Sequence, residues 1–412
     1  MTECMPNLSR REFGGALLAL SAVPRNVFGA GGLDETLRAA LEKRKIPLGV
    51  GMVATADRVT YSGAFGKRDS ASGIAVKADS IFSIASMTKA ITSTAAMQLV
   101  ERGKLSLDEP ASKHLPELAN LKVLTGFDAA GKPILRPNTK PLTLRLLMTH
   151  TSGCVYDTWD ADMLRYEKAT NSVPTLGTVA PLLPLAFEPG TRWQYGTGID
   201  WTGRLVETVS GLSLEEYFRQ NILDPLGMRD TTFILPASKF DRQVSQCRRG
   251  PDGALQEQPR TMPTPPKAYN GGGGLFSTAP DYIRFTQMIL RRGRGPNKEQ
   301  ILAAKTVDMM STDQTGGLSS GKLKTARPEI SSDVDFHPGA KDGYTFGFLI
   351  NATPYQGGRS AGSLAWAGVF NTFYWIDPKR SLCGVLMMQF LPFADKDAVA
   401  VLSEFERAVY AA

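Results

Sequence analysis

Residues with a strong preference for β-strands are confined to the two ends of this 412-residue chain. Near the start, Leu48 to Ala54 and Arg58 to Phe65 are separated by Thr55-Ala56-Asp57, the pattern of a hairpin. Nothing comparable follows until Phe346 to Ile350, Ser360 to Val369, Thr372 to Ile376 and Leu382 to Gln389, with Asp377-Pro378 marking a turn. A lone hairpin is marginal in water, so the two ends are expected to meet in one antiparallel sheet. Each group also carries a helix: Leu33, Leu37, Ala40 and Leu41 repeat with helical period up to Pro47, and residues 394 to 410 close the chain as another. The stretch between, with helical runs at 143 to 149, 199 to 210 and 213 to 222, reads as a mainly helical lobe. The sequence therefore predicts an α+β fold, with an α/β part from 31–103 and 270–410 and the helical lobe at 104–269.

Composition excludes several classes of function. Lys and Arg number 47 against 40 acidic residues, for a net charge of +7, but they are spread along the chain. The densest run, Arg291-Arg292-Gly293-Arg294, reads as a solvated loop, so nucleic acid is not an expected partner. Cys4, Cys154, Cys247 and Cys383 stand apart without a C-x-x-C pair, and His114, His150 and His337 are the only histidines, so no metal site is expected. No apolar run reaches the roughly 18 to 20 residues of a membrane span. Residues 1–30 form a separate segment: Arg10-Arg11 precede a short apolar stretch from Gly14 to Val23, the pattern of a twin-arginine export signal. A periplasmic or secreted protein is the expectation, with a cytoplasmic one if the signal is not used.

Candidate chemistry begins at Ser86-Met87-Thr88-Lys89, which opens a helix that reads as buried to Arg102, where Gly103 ends it. Three-residue spacing puts Ser86 and Lys89 on one face, about one turn apart. The positive end of the helix dipole there would favour a neutral amine and a developing oxyanion. Those are the needs of an activated serine. Alone, S-x-x-K is also a common coincidence in helices. Tyr195, in Trp193-Gln194-Tyr195-Gly196, reads alone as an interface tyrosine, and Gly368, ending Trp366-Ala367-Gly368, reads alone as a bulge. A rival serine lies in Gly317-Leu318-Ser319-Ser320-Gly321, but polar, turn-like sequence flanks it where a nucleophile elbow needs a strand and a helix. His150, in Thr149-His150-Thr151-Ser152-Gly153, reads as structural.

Taken in order, Ser86 to Lys89, Leu146 to Gly153, the Tyr195 loop with Asp200 and Gly203, Asn270 to Phe276, and Trp366 to Gly368 resemble the serine β-lactamase and penicillin-binding-protein superfamily. The resemblance covers roughly residues 33 to 410 and points to its family VIII carboxylesterase branch, similar to class C β-lactamases and to statin side-chain acyltransferases. It implies Ser86 as nucleophile, Lys89 and Tyr195 sharing the base role, and the backbone N–H groups of Ser86 and Val369 as oxyanion hole. Trp366, Ala367 and Gly368 would bind substrate. No metal or cofactor is implied. Two departures bear on substrate. The penicillin-recognising K-T-G is replaced by Trp366-Ala367-Gly368, removing a charge-assisted contact of roughly 1.5 to 3 kcal/mol to a drug carboxylate. Tyr195-Gly196-Thr197 also lacks the asparagine of the lactamase Y-x-N. The resemblance thus implies hydrolysis of short- to medium-chain carboxylic esters through an acyl-serine, with weak cephalosporin hydrolysis as a side activity. Acyl transfer to an alcohol, or β-lactamase or D-aminopeptidase activity, are the alternatives.

Overall fold

The structure, a computed structural model, describes Met1 and residues 30–172 and 182–412. The candidate export signal and Cys4 lie outside the described residues. The chain ends do meet. A seven-stranded antiparallel sheet takes β1 (Leu48–Thr55) and β2 (Val59–Gly66) from the start. The end of the chain supplies β3 (Gly343–Tyr344), β4 (Leu349–Ile350), β5 (Leu364–Gly368), β6 (Thr372–Asp377) and β7 (Leu382–Met387). The spatial order is β3-β4-β5-β6-β7-β1-β2, and the join between the ends is β1 beside β7, with Val50 opposite Met387 and Thr55 opposite Leu382. β1 is buried from Leu48 to Ala54, because helices cover both of its faces.

One face lies under α1 (Ala30–Lys43) and the C-terminal α5 (Lys396–Ala411), where Leu37 and Phe405 converge on Gly51. Asp395 caps α5 by accepting from the Asp397 and Ala398 amides at 3.0 and 3.4 Å, and is itself held by Arg249. The other face carries α2 (Thr88–Glu101) and α4 (Ala279–Leu290), between which the segment holding α3 (Gly198–Ser210) is inserted. Strand alternation makes the two faces explicit on β6: the Trp375 ring meets Phe405 of α5 at 6.1 Å, while the Tyr374 ring meets Tyr282 of α4 at 5.0 Å.

Two details depart from the sequence reading. Phe346 to Ile350 is not one strand: Gly347, at φ +100°, turns the chain between β3 and β4, with the Thr345 amide donating to the Phe348 carbonyl at 2.7 Å. The middle of the chain also holds short strands. Lys122–Phe127 pairs with Pro133–Pro137, and Cys247–Arg249 lies between Leu255–Glu257 and Phe390–Leu391. These strands are too short and too exposed to show alternation in sequence. Cys154, Cys247 and Cys383 are free and buried, and among the described residues no helix is long and apolar enough to cross a membrane.

Phe405 is fully buried where α5 meets the sheet. Phe405→Ala is expected to lower stability by about 3 to 5 kcal/mol, whereas Met309→Ala, at an exposed position, should change it by less than about 0.5 kcal/mol. Denaturant unfolding followed by circular dichroism measures both.

Candidate active site

Ser86 sits in a tight 3-10 turn, Ala85–Met87, immediately before α2. Ala85 has φ +43°, in the left-handed region that costs a residue with a Cβ roughly 1 to 2 kcal/mol. The surroundings hold that conformation. Ile84 donates its N–H to the Leu275 carbonyl at 3.0 Å, Tyr282 donates to the Met87 carbonyl at 2.8 Å, and Thr88 Oγ1 accepts from the Leu275 amide at 3.2 Å. Ser86 remains partly exposed, and one turn deeper Lys89 is completely buried.

The Lys89 amine reaches three acceptors from three segments: Ser86 Oγ at 3.3 Å, Tyr156 Oη at 3.0 Å, and the Gly272 carbonyl. Tyr156 in turn donates to Asp200 Oδ2 at 2.9 Å, so its oxygen is turned to accept from Lys89. Burial, then the Asp200 charge, pushes the Tyr156 phenol well above its ordinary pKa, so it stays a donor. Asp200, at the start of α3, is raised by burial and partly restored by the Lys89 charge. Gly272 has to be glycine, since a Cβ there would lie 2.2 Å from the Asp200 carboxylate.

Tyr195 is buried beside this cluster, its ring 5.0 Å from the Lys89 amine. Its hydroxyl accepts from Trp366 Nε1 at 3.2 Å rather than bonding Ser86 or Lys89. The rings of His150, Trp159 and Trp366 enclose it at 4.7 to 5.2 Å. Trp366 therefore faces the Ser86 side of the sheet, and alternation turns Ala367, opposite Phe373, to the α5 side. The expectation that Ala367 binds substrate can hold through its backbone alone. Gly368 lies against the Ser86 turn, where a Cβ would stand 2.3 Å from the Ile84 carbonyl, and Val369 follows it as the strand ends. Gly273 approaches the same turn from the other side, with its Cβ direction 3.8 Å from the Ser86 amide.

His150 is structural, as its context suggested: Nδ1 accepts from the Gly196 amide at 3.3 Å and fixes the Tyr195 loop. Ser319, the rival serine, is exposed in a loop that runs from the helix Ala304–Met310 to the two-residue strand Lys322–Leu323, the reverse of the strand-to-helix order of a nucleophile elbow. The residue that sequence reasoning missed is Tyr156. It follows the Leu146 to Gly153 run closely, and that adjacency is the one signal that could have singled it out.

The sequence signature described as Beta-lactamase matches residues 33–406. The chain belongs to the beta-lactamase family. This family member is 33% identical over 395 residues to a lovastatin esterase of Penicillium rubens, covering 92% of the chain and 98% of the relative. It is 32% identical over 397 residues to monacolin J acid methylbutanoyltransferase of Aspergillus terreus, covering 92% and 95%. Among solved structures, unliganded simvastatin synthase from Aspergillus terreus superimposes with a TM-score of 0.79 at 30% identity, covering 92% of this chain and 98% of that one. EstCE1, a hydrolase with promiscuous acyltransferase activity, shares the fold at TM-score 0.69 and 22% identity, covering 92% and 97%.

Two predictions follow from the site's geometry. Gly368→Ala must push β5 away from the Ser86 turn, so ester turnover should fall at least about a hundredfold, the cost of misplacing groups by about 1 Å. Its fold should be largely retained by circular dichroism. The second concerns acid stability. Burial, then the Lys89 charge, depresses the His150 pKa well below the usual 6.5. The unfolded chain then binds a proton that the native state refuses, and stability falls as pH drops below about 6.5, by up to roughly 1.4 kcal/mol per pH unit. His150→Gln should flatten that decline in melting temperature between pH 6.5 and 5.

Proposed function

We propose that this protein is a serine carboxylesterase acting on uncharged short- to medium-chain esters through an acyl-Ser86 intermediate. The observation that carries this is the orientation of Lys89. Two of its N–H groups are committed, one to the Gly272 carbonyl and one to a Tyr156 oxygen whose own proton goes to Asp200. The third position of the amine points to Ser86 Oγ at 3.3 Å, so once it has given up a proton its lone pair would be directed at the serine hydroxyl.

Ser86 Oγ adds to the ester carbonyl carbon as its proton passes to Lys89, and the carbonyl π pair moves onto oxygen. The Ser86 and Val369 amides receive that oxyanion at the gap between the helix turn and the strand end. Collapse breaks the bond to the alcohol oxygen, which takes the proton back from Lys89; Tyr195, to which the motif gives a share of this role, would have to turn its hydroxyl from Trp366 to join the relay. Water, deprotonated by the same amine, then adds to the acyl carbonyl, and collapse breaks the bond to Ser86 Oγ, which takes the proton back from Lys89 as the acid leaves. Trp366 stands where penicillin-recognising enzymes carry a lysine, which favours apolar acyl or alkyl groups over a carboxylate-bearing drug. All proton transfers are assigned to protein side chains.

The esterase and acyltransferase activities named for the relatives support a second reading of the same acyl-enzyme: an alcohol replaces water as acceptor. The segment ahead of residue 31 supports export by the twin-arginine route, and replacing Arg10 and Arg11 by Lys should leave the protein in the cytoplasm on fractionation.

The test is a comparison of turnover on p-nitrophenyl butyrate, p-nitrophenyl octanoate and nitrocefin, with and without an added alcohol. Ester rates should exceed nitrocefin rates by orders of magnitude. Ser86→Ala should lose ester turnover, and Tyr156→Phe should lower kcat about ten- to a hundredfold with KM little changed, the value of a bond to a charge-bearing partner. Ester rates retained in Ser86→Ala refute the nucleophile. An alcohol that diverts most of the acyl group from water assigns the transferase reading.

A further inference from the structure

The sheet has a cavity on the face turned away from Ser86. Its volume is about 260 Å³, and its wall comprises Ala365 and Ala367 of β5, Phe373 of β6, Val399 and Leu402 of α5, and Phe336. None of Ser86, Lys89, Tyr156 or Tyr195 lines it, and Trp366, which borders it, has its ring against Tyr195 on the Ser86 side. The space exists because β5 presents two alanines where a sheet face under a helix ordinarily carries large side chains, and α5 does not close the gap. At roughly 30 Å³ for each water-sized unit, it accommodates a chain of on the order of eight or nine heavy atoms.

One end of the cavity is charged. Glu406 of α5 is buried and fully occupied by Arg359, whose Nε and Nη2 donate to its two oxygens at 2.9 and 2.5 Å. Gly358 and Arg407 line this cavity and also an adjoining depression of about 370 Å³, into which Arg380 and Tyr410 reach. Arg380 and Arg407 are both exposed, and neither enters an ion pair among the described residues. An apolar chamber sized for a short hydrocarbon thus opens beside two guanidinium groups without a carboxylate partner.

We propose that this is a binding site for a medium-chain alkanoate, its tail under α5 and its carboxylate at Arg407 and Arg380. The site is separate from the acyl chemistry at Ser86, on the opposite face of β5, and stands whether or not Ser86 is the nucleophile. Guanidinium groups recognise carboxylates through paired N–H donors, and apolar burial of the tail supplies the affinity.

The experiment is calorimetric titration of the full-length Ser86→Ala chain with decanoate, with decanol as the neutral control. Saturable binding is expected, with decanol at least tenfold weaker. Arg407→Glu should weaken decanoate at least tenfold, and Val399→Trp, which fills the chamber, should abolish binding. In an otherwise wild-type background, Val399→Trp should leave ester turnover unchanged. If Val399→Trp lowers the melting temperature markedly, Ser403→Leu narrows the same chamber from one turn further along α5 and should weaken decanoate likewise. Absence of saturable binding, equal affinity for decanol, or decanoate binding that survives the filling variants would overturn the proposal, the last by placing the acid in the Ser86 cleft.

Discussion

Everything around the candidate site is organised by one buried amine. Lys89 has no access to water, and a buried charge or amine without partners would cost several kcal/mol. Its partners come from three separated stretches: the turn at Ser86, the loop at Tyr156, and the glycine run at Gly272. Satisfying Lys89 therefore draws the inserted segment and the glycine loop onto the start of α2. The same contacts that make the amine tolerable in the interior aim it at the serine hydroxyl, so the stability and the chemistry of the site share one set of hydrogen bonds.

The second constraint is steric. The turn at Ala85 occupies a backbone region that L-residues avoid, and it is held from both sides by close-fitting backbone at Gly368 and Gly273. Such local strain persists only where the surroundings over-determine it. Here it leaves Ser86 partly exposed at the end of β5 while Lys89 remains sealed behind it. Because β5 alternates, its large Trp366 shapes the reactive side, and its alanines leave open space on the other side, under α5. One short strand thus governs the character of both faces.

Much of this was legible in the sequence, for identifiable reasons. The pairing of chain ends followed from an unsatisfied hairpin at 48 to 65, and the Ser86–Lys89 relation from helical spacing alone. The division of β3 from β4 was not legible, since the run Phe346 to Ile350 is uniformly strand-like and Gly347 alone marks the turn. Tyr156 was missed because its contact with Lys89 spans 67 residues of sequence, and long-range contacts leave no periodic trace. Tyr195 was found by its motif, but its hydroxyl partner, the Trp366 indole, depends on a side-chain orientation that only the folded chain fixes. The faces of Trp366 and Ala367 illustrate the same limit: alternation is readable, but which parity faces the serine is decided by the register with β6.

The central claim is that the acyl group passes through Ser86 Oγ. The most direct measurement is acid quenching during turnover of a p-nitrophenyl ester, followed by intact-mass and peptide mass analysis of the trapped protein. A mass increase of one acyl group located on the peptide containing Ser86 is the predicted result. Continued ester turnover with no acylated protein, or an adduct on the peptide containing Ser319, would contradict it.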